Sequence, residues 1–156
     1  MYSTALIFGT LAGCLALVIE LVVLNIGGSV TYTPDLPDFG SILVVSGAVF
    51  IEECARLLLL RQFFARYFSA TYQWSAIFAV GLSYGIGFSL LEIGLIVGQG
   101  SFPLFPLATI VLIHSGLSLL FAFALARRLP FPVPFVFAFG TLLHLIYNLS
   151  LVLFGK

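Results

Sequence analysis

SILVVSGAVFIEECARLLLL, residues Ser41 to Leu60, is long and apolar enough to be a membrane helix, yet it carries Glu52, Glu53 and Arg56 near its centre. An ionised side chain at the middle of a bilayer costs roughly 2.5 to 3.5 kcal/mol on insertion scales. Two adjacent carboxylates with a cation one turn later are therefore not there for anchorage. Intramembrane ionisable residues mark functional sites, and this set is the starting hypothesis for one.

The surrounding chain has the same character. Hydrophobic residues make up 62% of it and charged residues 8%, against about 25% charged in a soluble domain. The mean hydropathy is +1.22. The composition is that of an integral membrane protein, and 156 residues make one domain. With six basic and six acidic residues the net charge is zero, so nothing points to a nucleic-acid partner. Glu20, Glu52, Glu53, Arg56 and Glu92 all fall inside apolar spans. Cys14 and Cys54 read as small buried hydrophobes rather than a nucleophile or metal cluster. No basic region precedes the first span, so a cleaved signal peptide is not expected.

A membrane helix needs about 20 apolar residues. Five spans meet that length: about Thr4 to Ile26, Ser41 to Leu60 with a helical continuation to Tyr67, Trp74 to Val97, Leu104 to Ala126, and Pro132 to Phe154. The fold class expected is all-α, a polytopic bundle of about five helices. Gly27 to Asp38, Gly98 to Pro103 and Arg127 to Pro134 carry the turn chemistry between them. All seven prolines lie at or beyond span ends, which leaves the helices uninterrupted. Arg61, Arg66, Arg127 and Arg128 follow spans two and four, and the other loops have no basic residue. The positive-inside rule then places the N-terminus in the cytoplasm, with Tyr67, Tyr72 and Trp74 in the interfacial belt of that side. Gly9-x-x-x-Gly13 and Gly81-x-x-x-Gly85 offer close-packing faces, either within the chain or as a dimer seam.

Depth links the polar residues. At 1.5 Å per residue, Glu52, His114 and His144 each lie about 15 Å from the outer ends of their own helices. Three helices thus bring the doublet and both histidines to one level. Glu92 and Glu20 sit shallower, toward the outer leaflet. Asn148 is one turn outward of His144 on the same face. Within span two, Arg56 stands at i+4 from Glu52 and i+3 from Glu53, so it can neutralise either carboxylate and leave the other as a general base. A carboxylate base, two imidazoles and an amide donor can together activate water and stabilise an oxyanion. Glutamate and histidine are also competent zinc ligands. However, there is no HExxH pattern and no helix carries two histidines, so no cofactor is expected.

The motif order is E-E-x-x-R at Glu52 to Arg56, G-F-S-L-L-E at Gly87 to Glu92, H-S-G-L-S-L-L from His114, and H-L-I-Y-N at His144 to Asn148. It resembles the CAAX-protease and bacteriocin-processing (CPBP, or Abi) superfamily, and within it the PrsW-like and YhfC-like membrane peptidases. The resemblance covers spans two to five. It implies a glutamate-dependent intramembrane endopeptidase of the prokaryotic plasma membrane. Glu52 or Glu53 would activate water with help from His114, and His144 with Asn148 would hold the oxyanion. Arg56, Phe88 and Glu92 would support them. The prenyl-protease form spaces its arginine one residue later and has histidine where this chain has Glu92, which points away from prenylated substrates. The PrsW-like form has lysine where this chain has Arg56. Spans three to five also resemble the anterior-pharynx-defective subunit of γ-secretase, a scaffold that keeps intramembrane histidines. A non-catalytic scaffold and a small transporter or proton relay are the alternative readings. The partners expected are a membrane-embedded peptide, the lipid bilayer and a second membrane subunit or second copy.

Overall fold

The computed structural model describes residues 1–26, 39–68, 73–98 and 104–154. These form α1 (Tyr2–Ile26), α2 (Phe39–Tyr67), α3 (Trp74–Gly98), α4 (Leu104–Leu125) and α5 (Val133–Phe154), with no strand among the described residues. The expected all-α bundle is what forms, and α2 does continue to Tyr67. The polar loop from Gly27 to Asp38, the turn from Gln99 to Pro103, and Tyr72 lie outside the described residues.

Four segments are long and apolar enough to cross a membrane: Tyr2–Val23, Trp74–Gly98, Leu107–Leu125 and Val133–Leu151. α2 has the length, at 29 residues. Its glutamates and arginines remove it from that class on composition, and the fold answers by enclosing it. α2 packs on α1, α5 and α4, while α3 packs between α1 and α4, and α5 on α4. The five helices close a ring around the acidic face of α2.

Polarity is placed inside. Glu53, Arg56, His114, His144, Ser89 and Ser118 are buried, whereas Ile7, Leu11, Val22, Leu43 and Leu142 point outward and Leu112 is 69% exposed. Hydrocarbon solvates such a surface as well as a protein core does, so the helices show no apolar-against-polar division.

Glycine sets the spacing of α1, α3 and α4. A Cβ on Gly9 would stand 2.0 Å from the Tyr84 carbonyl oxygen, and one on Gly87 would stand 2.1 Å from that of Leu6. A Cβ on Gly85 would lie 2.3 Å from Ser115 Cα. Backbones therefore meet backbones, and the Thr10 hydroxyl donates to the Gly87 carbonyl across the first seam at 3.1 Å. Gly9 and Gly13 face α3, and Gly81 and Gly85 face α4, so both glycine pairs are used within the chain.

One expectation is corrected. Cys14 and Cys54 are exposed, not buried. Ala5, Gly9, Ala12 and Ala16 occupy the inner face of α1, which turns Cys14 outward. Glu53 and Arg56 take the inner face of α2 and turn Cys54 outward.

The helix ends have local causes. Gln73 accepts from the backbone N–H of Ala76 at 3.0 Å and starts α3. Pro132 accepts from Phe135 N–H at 3.0 Å and starts α5, so Pro134 falls in the first turn, where a missing N–H costs nothing. α4 ends in a Schellman motif: Arg128 N–H donates to Phe123 O at 2.9 Å and Arg127 N–H to Ala124 O at 3.0 Å. Arg127 is left-handed there, at φ 54°, a conformation that disfavours a side-chain-bearing residue by about 1 kcal/mol.

Candidate functional site

The inward face of α2 carries Glu53 and Arg56, both 0% exposed. Arg56 Nη1 donates to Glu53 Oε1 at 2.6 Å. The i,i+3 spacing makes the pair local to one helix turn. α5 brings His144, whose Nδ1 donates to the same Glu53 oxygen at 2.6 Å. α4 brings His114, whose Nδ1 accepts from Arg56 Nη2. α3 brings Glu92, whose Oε2 lies 2.8 Å from His114 Nε2. The depth match of the sequence is thus a physical cluster: the doublet, its arginine and both histidines are within reach of one another.

Hydrogen-bond direction fixes the His114 imidazole. A guanidinium only donates, so His114 Nδ1 accepts, its proton sits on Nε2, and Nε2–H donates to Glu92. His144 donates from Nδ1 to Glu53 and turns its Nε2 toward Glu52, whose Oε2 is 3.7 Å away. That gap exceeds a direct hydrogen bond.

The two glutamates of the doublet therefore have different environments. Glu53 is fully enclosed and shared between Arg56 and His144. Glu52 is 20% exposed and lines a cavity of about 90 Å³ together with Glu20, Glu92, Phe88, Gly13 and Ala16. That volume accepts several waters. One helix step rotates a side chain by about 100°, which is enough to send one neighbour into the cluster and the other into the cavity.

Phe88 is part of the cluster. Arg56 Cζ stands 4.3 Å from its ring centroid and the His114 ring 4.9 Å from it. The guanidinium is thus held over an aromatic face, a cation–π contact that desolvation strengthens. The two imidazoles meet edge to face, with centroids 5.1 Å apart. Asn148 is half-buried one turn beyond His144, and the hydrogen bonds of the cluster do not include it.

Two residues join that the sequence reading passed over or placed elsewhere. Tyr84 is fully buried, and its hydroxyl donates to the Arg56 carbonyl oxygen at 3.0 Å, tying α3 to the functional turn of α2. Its spacing of four from Phe88, on one helix face, was the available signal. Glu20, placed by its sequence position toward the outer leaflet and given no part in the site, lines the cavity. Gly9, Gly13, Ala16 and Glu20 form one face of α1, and that face is the one against α3.

Glu52, His114 and His144 offer metal-ligand atoms within 4.8 Å of one another. The donor chemistry of His114 does not fit a metal. Ligation through Nε2 would move its proton to Nδ1, against the donating Arg56, and would break the bond to Glu92.

No family model, curated protein or solved structure matches the chain.

Proposed function

We propose that this is a multi-pass membrane protein with its arginine-bearing end in the cytoplasm, and that it is a glutamate-dependent intramembrane endopeptidase of the CPBP type. One observation carries the reading. The Glu52 carboxyl lines a cavity large enough for water, and its Oε2 stands 3.7 Å from Nε2 of the buried His144. A water hydrogen-bonded at about 2.8 Å to each of the two groups would bridge that gap.

In this reading Glu52 is the general base. It takes a proton from the water as the oxygen attacks the peptide carbonyl carbon. The tetrahedral intermediate then expels the amine, which leaves with the proton that Glu52 took up. Glu53 and Arg56 hold His144, and through it the water. His114 holds Glu92 at the cavity. The Asn148 amide, uncommitted to the cluster, is the oxyanion donor on the same face as His144. The cavity suits water and a reacting peptide group.

Purified protein in detergent, offered a panel of membrane-peptide substrates, tests this. Glu52→Gln is expected to lower the cleavage rate about 10² to 10⁴-fold with the fold intact. Cleavage unchanged in Glu52→Gln, Glu53→Gln and His144→Ala alike would sink the assignment. A folded wild type that cleaves nothing in the panel would favour a scaffold of the same fold.

A further inference from the structure

We propose that the arginine-bearing end of the bundle is a binding site for anionic phospholipid headgroups. The inference rests on the membrane-spanning part of the proposed function and not on its peptidase part. Arg61 and Arg66 are exposed at the end of α2, and Arg127 and Arg128 are exposed just past α4. α2 packs on α4 with both helices running toward this end, and Arg128 reaches the Trp74 ring at 5.8 Å. Trp74 in turn leans on Phe123 with ring centroids 5.1 Å apart. Tyr67 and Trp74, both exposed, give this end the amphipathic rings that sit at headgroup level.

Depth decides the ligand. Counted from the Glu53–His114 level at 1.5 Å per residue, Arg66 and Arg127 both lie about 20 Å toward this end, and Arg61 about 12 Å. The hydrocarbon half-thickness is about 15 Å. With the cluster near the midplane, Arg66 and Arg127 stand at the depth of lipid phosphates, and Arg61 reaches it by extending its side chain.

Charge is unbalanced there. The described carboxylates, Glu20, Glu52, Glu53 and Glu92, all lie at the cluster or beyond it toward the opposite end. None of Arg61, Arg66 and Arg127 is in a salt bridge among the described residues. A second observation is independent of charge. The cap of α4 requires a left-handed residue, the conformation glycine adopts most readily, and the chain places arginine there. The local strain is kept while a cation is gained at phosphate depth.

The test uses the full chain in a neutral maltoside detergent. It is titrated with dioleoyl phosphatidylglycerol or dioleoyl phosphatidylcholine, and bound lipid is counted by native mass spectrometry. Phosphatidylglycerol is expected to bind tighter, weakening about fivefold for each arginine removed in Arg61→Gln, Arg66→Gln, Arg128→Gln and Arg127→Gly. Arg127→Gly relieves the left-handed position, so lost binding in that variant is not lost folding. Equal binding of the two lipids, or unchanged binding in the fourfold variant, would overturn the proposal. Displacement of the lipid by millimolar inorganic phosphate would do so too, assigning the cluster to a soluble anion.

Discussion

The α1–α3–α4 seams and the α2–α4–α5 core hold the same bundle together by opposite means. In the seams side chains are missing. Gly9, Gly85 and Gly87 let backbones touch, and dispersion over a close interface does the rest. In the core side chains are polar or ionic. Glu53, Arg56, His114 and His144 bond one another in the interior, with Glu53 Oε2 and Arg56 Nε left without a hydrogen bond among the described residues. A seam of glycines tolerates no addition. A buried ion cluster tolerates no removal. The cavity lies where the two meet, lined by Gly13 and Ala16 from a seam and by Glu52 from α2.

Each half can be broken separately. The largest expected effect is in the core. Arg56→Met leaves Glu53 buried without its cation and should cost about 3 to 5 kcal/mol, read as lost thermal stability in detergent. An unchanged melting temperature would mean that Glu53 is not held by Arg56. In the seam, Gly87→Ala places a methyl against the Leu6 carbonyl and should cost about 1 to 3 kcal/mol. Tyr84→Phe removes only the hydroxyl bond to the Arg56 carbonyl and should cost about 1 kcal/mol, while lowering proteolytic resistance of the α2–α3 contact. The smallest change has the opposite sign. Gly116 has open space where a Cβ would go, so Gly116→Ala should stabilise by about 0.5 to 1 kcal/mol. Equal effects at Gly87 and Gly116 would erase the distinction between seam and free glycines.

The helices were legible because hydropathy and proline position both report on them. The common level of Glu52, His114 and His144 was legible because axial rise is fixed per residue, whatever the surroundings. Rotation about each axis was not. In a soluble helix an apolar stripe marks the inner face, but here Leu and Val line the outside as fully as the inside, so nothing in the pattern said that Cys14 and Cys54 face outward. For the same reason the sequence left Glu52 and Glu53 equivalent. Their separation needs the direction from which α5 approaches, and that is a property of the whole bundle. Glu20 was within reach of inspection, since Gly9, Gly13 and Ala16 point its face at α3.

The central claim is that the doublet is divided, Glu52 open to the cavity and Glu53 sealed in the cluster. Carbodiimide labelling of the intact protein in detergent, with modified residues located by tandem mass spectrometry, measures this without any substrate. Glu52 is predicted to be labelled and Glu53 protected, with Glu53 becoming reactive only on unfolding. Labelling of Glu53 in the folded protein with Glu52 spared would contradict the account.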